Sequence, residues 1–206
     1  MRERILARIR RALEHRPRLE LPPSLEPASL APAEARALFL RRLEENGAEA
    51  VVLESLEAAQ AWLAGFAQTF EGVALGEGLP AALRPALPLR PPEEAPLGVS
   101  WALGAVAETG TVVLGSREGR RVQLLPPTHL VFVPGSRVYA TLYEALLSLS
   151  HRPSALALHS GPSKSADIGQ IMVKGVHGPG RLVVALVDQS PSDLQTPEAP
   201  QAKLEQ

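Results

Sequence analysis

Residues 32–75 read PAEARALFLRRLEENGAEAVVLESLEAAQAWLAGFAQTFEGVAL, and the periodicity of this stretch decides the fold class. From Pro32 to Asn46 the apolar positions Ala35, Leu38, Phe39 and Leu43 keep helical spacing, with Pro32 in the first turn and Gly47 as a natural C-cap. Ala50 to Leu53 is a short apolar run that predicts a strand. Ser55 is placed to cap a second helix whose buried stripe is Leu56, Ala59, Leu63, Phe66 and Phe70, and Val73 to Leu75 predicts another strand. This αβαβ alternation predicts a parallel sheet covered by helices.

Outward toward the N-terminus, residues 1–16 place Ile5, Ile9 and Leu13 on one stripe with Leu6 beside it, surrounded by Arg2, Arg4, Arg8, Arg10, Arg11 and Arg16. The spacing predicts a basic amphipathic helix that docks on the body or another subunit, or lies on a membrane surface. Pro17, Pro22, Pro23 and Pro27 exclude a regular element before Pro32, so residues 1–31 read as a helical arm with a proline-rich linker. In the other direction, six prolines between Pro80 and Pro96 predict a long surface connection. Thr111–Leu114 and Leu130–Val133 then read as strands, Ser116–Gly119 as a turn, and Ser136–Leu149 as a helix with Val138, Leu142, Ala145, Leu146 and Leu149 on one face. Ala155–Leu158 predicts a strand leading through Gly161 into a short helix that runs through Val173 and ends at Gly175. Leu182–Val187 predicts the last strand. The organisation expected is an arm over 1–31, one α/β domain over 32–188, and a disordered tail over 189–206, where three Pro and four Gln crowd together.

The 206 residues carry 45% hydrophobic and 21% charged side chains, enough apolar material for a core. No run approaches the ~18 apolar residues of a membrane span, and no secretory h-region opens the chain, so a cytoplasmic location without an integral membrane segment is expected. A net charge of −1 gives no global attraction to nucleic acid. The absence of cysteine excludes a thiolate nucleophile and any thiolate-held zinc or iron–sulfur cluster in this chain. Among the charges, 18 Arg stand against 3 Lys and 19 Glu against 3 Asp, and Lys164, Asp167 and Lys174 fall in one stretch. One Asn, two Met and 20 Pro predict a heat-adapted, thermostable protein.

Four stretches carry candidate chemistry. Ser160-Gly161-Pro162-Ser163-Lys164-Ser165-Ala166-Asp167, read as strand, glycine turn and helix start, offers backbone N–H groups, two hydroxyls and an ammonium as an anion cradle, or else an ordinary capped helix start. It is not a P-loop, because the second Gly and the Gly-Lys-Ser/Thr order are missing. Glu108-Thr109-Gly110-Thr111 sets a carboxylate at a turn before a strand, as a general base or a solvated charge. His129 opens a strand after Pro126-Pro127-Thr128, where a structural hydrogen bond or ligand contact is expected. His177 stands in Gly175-Val176-His177-Gly178-Pro179-Gly180, where the glycines allow a backbone to approach a ligand closely. No HExxH or close ligand spacing supports a metal, and no Gly-x-Ser-x-Gly elbow supports a serine hydrolase.

Ala107–Leu114, Leu124–His129, Ser160–Ile168 and Gly175–Pro179, in this order and spacing, resemble the LUD domain family over residues 98–188. The resemblance implies an α/β/α sandwich of the NagB/RpiA/CoA transferase-like fold. It implies a role in oxidising L-lactate to pyruvate beside partner proteins that hold iron–sulfur clusters, with no cofactor in this chain. The expected site has Glu108 and His177 as catalytic candidates, and Thr109, Gly110, Thr111, His129, Gly161, Ser163, Lys164, Ser165, Asp167 and Gly178 as contacts to a small anionic ligand beyond the carboxyl ends of the strands. The alternative is a stand-alone enzyme of cyclo-ligase or transferase type acting on a phosphorylated, nucleotide or CoA substrate. Homo-oligomerisation is also open.

Overall fold

A computed structural model of the chain describes residues 1–14, 30–149, 153–166 and 172–188. The linker prolines, Asp167 and the tail lie outside the described residues. Helix α1 (Arg2–Glu14) buries no residue, and Ile5, Ile9 and Leu13 stay about half exposed. The body begins at α2 (Pro32–Glu45), followed by β1 (Glu49–Leu53), α3 (Leu56–Ala67) and β2 (Val73–Leu75). The Ser55 hydroxyl accepts the Ala58 N–H at 3.1 Å and so opens α3, while Gly47, at φ +86°, closes α2.

Then come β3 (Leu97–Trp101), β4 (Gly104–Val106), β5 (Thr111–Gly115), α4 (Arg120–Leu124), β6 (Thr128–Pro134), β7 (Val138–Tyr139), α5 (Leu142–Leu147), β8 (Leu156–His159), β9 (Lys164–Ala166), β10 (Met172–Lys174) and β11 (Arg181–Val187). Five strands form one parallel sheet in the order β1-β11-β6-β3-β2. The order β7-β4-β5-β8 makes a second, mixed sheet, and β9 pairs antiparallel with β10.

Alternation along the parallel strands sorts their side chains into two cores. Leu97, Val99, Trp101, Leu130 and Phe132 face α3, and with Leu53, Leu63 and Val73 they form one apolar cluster. Val131, Val133, Val184 and Leu186 face the other way, against Phe39 and Leu43 of α2 and Val112 and Leu114 of β5. The expected α/β layering holds, with a second covering layer built from α2 together with the mixed sheet. Both faces of the parallel sheet are therefore covered, which is why its strands read as nearly continuous apolar runs.

Three expectations are corrected. Residues 80–96 are not merely a surface connection, because Leu83 is fully buried in the core shared with α3 and β2 and Ala95 is buried as well. The helix expected over Ser136–Leu149 is a 3-10 turn, then β7 paired in parallel with β4, then a helix confined to Leu142–Leu147. Thr141 restarts the chain there, its hydroxyl accepting the Glu144 N–H while the Glu144 carboxylate accepts the Ala140 N–H. The short helix expected from Gly161 to Val173 is instead the β9–β10 pair, with Lys164 opposite Lys174 and Ser165 opposite Val173. Strand pairing and the bonds Ser163 N–H to Pro179 O (2.8 Å) and Gly175 N–H to Ser163 O (3.0 Å) override local helical spacing.

Candidate ligand cleft

A cleft of about 220 Å³ lies among Leu124, the end of β8, the Gly161–Ser163 turn and His177–Pro179. Of the residues singled out in the sequence, Gly161, Ser163, His177 and Gly178 line it. Its walls also include His159 and Ser160, which sequence reasoning did not select. The Ser163 hydroxyl accepts the His177 N–H weakly, at 3.4 Å. A Cβ on Gly178 would meet the Ser163 Cβ at 3.4 Å, so a larger side chain there would grow into the cleft.

The location differs from the expectation. Pro179 and Pro127, which hold Ser163 and Arg181 by their carbonyls, stand within two residues of the starts of β11 and β6, so the cleft sits at the amino edge of the parallel sheet. The Gly161 turn does follow the carboxyl end of its own strand, but that strand belongs to the mixed sheet, whose direction the αβαβ reading of residues 32–75 does not specify.

The Glu108–Thr111 turn reaches the cleft through hydroxyls. Thr109 Oγ1 lies 2.7 Å from Thr111 Oγ1, which lies 2.6 Å from Ser160 Oγ on the cleft wall. Gly110, at φ +61°, packs this turn on α2, where a Cβ would come within 2.5 Å of the Arg42 carbonyl carbon and the Leu43 nitrogen. Asn46 at the end of α2 donates to the Thr109 carbonyl at 2.9 Å. Glu108 is exposed, and its carboxylate accepts the Leu142 N–H at 2.9 Å, so it serves the N-terminus of α5 and does not line the cleft.

The helix start that was to create an anion cradle is absent, and Lys164 takes a different part. Its ammonium donates to the Asn46 carbonyl at 2.6 Å, where the negative end of the α2 dipole favours a cation. Lys164 and Ser165 stand on β9 outside the cleft lining.

His129 is fully buried, with Nε2 3.0 Å from the Ser100 hydroxyl and Nδ1 without a partner among the described residues. Its ring meets His159 edge to face, centroids 5.7 Å apart. Burial, reinforced by the nearby His159, pushes the His129 imidazole down to about 3, and burial also holds His159 below the ordinary histidine range. Both rings are therefore neutral at pH 7. Two larger hollows lie elsewhere. The one of about 340 Å³ between α3 and residues 82–87 is walled mainly by Ala, Leu and Pro and brings together no comparable set of hydroxyls and imidazoles. The other, of about 330 Å³, runs along β2.

One further polar group was not legible in the sequence. Glu118 is buried at the carboxyl edge of the parallel sheet, where Trp101 donates its N–H to the carboxylate at 2.9 Å and a Cβ on Gly76 or Gly78 would collide with it. Desolvation pushes its pKa up to about 7, against the lowering effect of the Trp101 and Gly78 N–H groups and Arg117, while Glu77 adds to the rise.

Every residue that lines the cleft falls within a stretch that matches a known family model. Residues 92–187 match the family model described as the LUD domain. Over 105 residues the chain is 39% identical to a protein named lactate utilization protein C from Halalkalibacterium halodurans, covering 47% of this chain and 46% of that one. It is 38% identical over 91 residues to the protein of that name from Anoxybacillus flavithermus, covering 42% and 41%. The Bacillus subtilis protein of the same name is 38% identical over 104 residues, covering 46% and 43%. The match thus spans less than half the length of these curated relatives. A crystal structure of a DUF162 family protein from Deinococcus radiodurans shares the fold with a TM-score of 0.59 at 23% identity, over 77% of this chain and 99% of that one. The matched stretch leaves out α2, whose C-terminal Asn46 packs against the Gly161 turn of the cleft.

Proposed function

We propose that this chain serves lactate utilization as a subunit that binds a small carboxylate in the cleft, while iron–sulfur partner proteins carry the electrons released when L-lactate becomes pyruvate. The observation that carries this reading is that the whole lining of the cleft lies inside the stretch that matches the LUD domain model, in a chain that resembles proteins named for lactate utilization. The oxidation releases two electrons and two protons, and a chain without cysteine offers no thiolate set for a cluster. A division of labour follows, in which this chain supplies hydroxyl and imidazole groups to hold the substrate. Ser163, Ser160 and His177 are the side chains available to a carboxylate, and Gly161 and Gly178 leave room for it.

Calorimetric titration of the full chain with L-lactate tests the binding role. Saturable binding is expected, weakened about tenfold in His177→Ala, the usual size for a lost hydrogen bond to a charged group. Equal affinity in the variant, or no binding by the native chain, overturns the reading. Turnover of nucleotide or CoA substrates by the chain alone supports transferase or ligase chemistry instead.

A further inference from the structure

Residues of the parallel strands alternate strictly between two cores, and Ser100 and His129 interrupt the face that meets the mixed sheet. Their neighbours on that face are Ala102, Val131, Val133, Leu182 and Val184, all buried and apolar. On β8, Ala157 packs into the same core and Leu158 points out, so alternation turns His159 inward toward His129 at the end of the strand. The result is a polar line that runs from the cleft wall at His159, through His129 on the central strand β6, to Ser100 on β3. Such a line weakens the core. An unpaired buried ring nitrogen costs free energy that an apolar side chain of similar volume would not. The line meets the cleft at His159.

Resting on the reading of the cleft as a carboxylate site, we propose that His159 is its acceptor for a ligand hydroxyl and His129 is the positioning residue behind it, so that the cleft selects 2-hydroxy carboxylates over plain carboxylates. A neutral imidazole keeps one nitrogen lone pair, which accepts the O–H, whereas an imidazolium has none. Burial keeps both rings neutral at pH 7. The edge-to-face contact with a ring that is itself held by Ser100 fixes the plane of His159, and with it the direction of that lone pair. Ser163 and His177, which line the same cleft, are left for the carboxylate, so the two functional groups of one small acid are read by different side chains.

The test compares L-lactate with propionate, which lacks only the hydroxyl, by calorimetry on the full native chain and on His159→Phe, His129→Phe and His129→Gln. The native chain is expected to prefer lactate about tenfold. His159→Phe should erase the preference by weakening lactate alone. Either His129 variant should reduce it and also move the His159 ring-nitrogen resonances in NMR spectra. His129→Gln retains a hydrogen-bonding group for Ser100 and so guards against loss of folding. Equal affinity of the native chain for both acids overturns the hydroxyl acceptor and leaves the carboxylate site standing. Equal weakening of both acids in His159→Phe assigns that ring a structural role only. Absence of saturable binding by either acid overturns the carboxylate site and this inference together.

Discussion

The Thr111 hydroxyl lies 2.6 Å from the Ser160 hydroxyl and 2.7 Å from that of Thr109, a chain of three hydroxyls that joins the turn before β5 to the cleft wall after β8. Thr111 is almost fully buried, so its two contacts are shielded from water. Thr111→Val keeps the shape and removes both. The expected result is a loss of about 1 kcal/mol of stability by denaturant titration, together with weaker lactate binding as Ser160 loses its partner. Unchanged stability and binding would show that the hydroxyl chain is incidental.

Gly110 is a different kind of constraint, since its positive φ and the α2 backbone at 2.5 Å both exclude a Cβ. Gly110→Ala should cost about 2 to 4 kcal/mol, combining left-handed strain with overpacking against main-chain atoms that cannot yield. A melting temperature within a degree or two of the native one would contradict the packing of this turn on α2.

Glu118 sets a pH dependence of one sign. Its pKa rises from the ordinary 4.5 to about 7 on folding, so the folded state binds the proton more tightly than the unfolded chain. The group's contribution is fully present below about pH 4.5 and is lost as pH rises through about 7. The melting-temperature difference between the native chain and Glu118→Gln should therefore be more favourable to the native chain at pH 5 than at pH 8. The same difference at both values would contradict a buried, protonated carboxyl.

His129 works in the opposite direction. Its folded pKa of about 3 lies below the ordinary 6.5, so the unfolded chain binds the proton and the contribution, present above pH 6.5, is lost as pH falls toward 3. His159 is depressed as well and adds to this acid sensitivity. Denaturant titrations between pH 7 and pH 4 should show a shallower loss of stability in His129→Phe than in the native chain. Parallel curves would place His129 in contact with solvent.

Much of the layering was legible because strands buried on both faces leave unbroken apolar runs, as in Leu130–Val133 and Leu182–Val187, and because Pro32, Gly47 and Ser55 punctuate the helices. The strand Leu97–Trp101 was missed, since Gly98 and Ser100 break its apolar run while five-residue burial keeps it in the sheet. Residues 163–174 misled because helical spacing and Gly175 are local signals, whereas pairing of β9 with β10 and the bonds to Pro179 depend on the folded chain. The motifs around Gly161 and His177 did converge on one cleft. Glu108 and Lys164 did not join them, as both found partners at the ends of helices. His159 carried no motif. Its signal was the alternation of Ala157 and His159 on β8, legible only once that strand is known to pack against the sheet that holds His129.

Reconstitution tests most directly the proposal that this chain is a working part of a lactate-oxidising assembly. Lactate-dependent reduction of an artificial electron acceptor would be measured with the iron–sulfur partner proteins, with and without this chain. Activity that requires the native chain and falls about tenfold with His177→Ala at subsaturating lactate is the predicted result. Equal activity from the partners alone would contradict it.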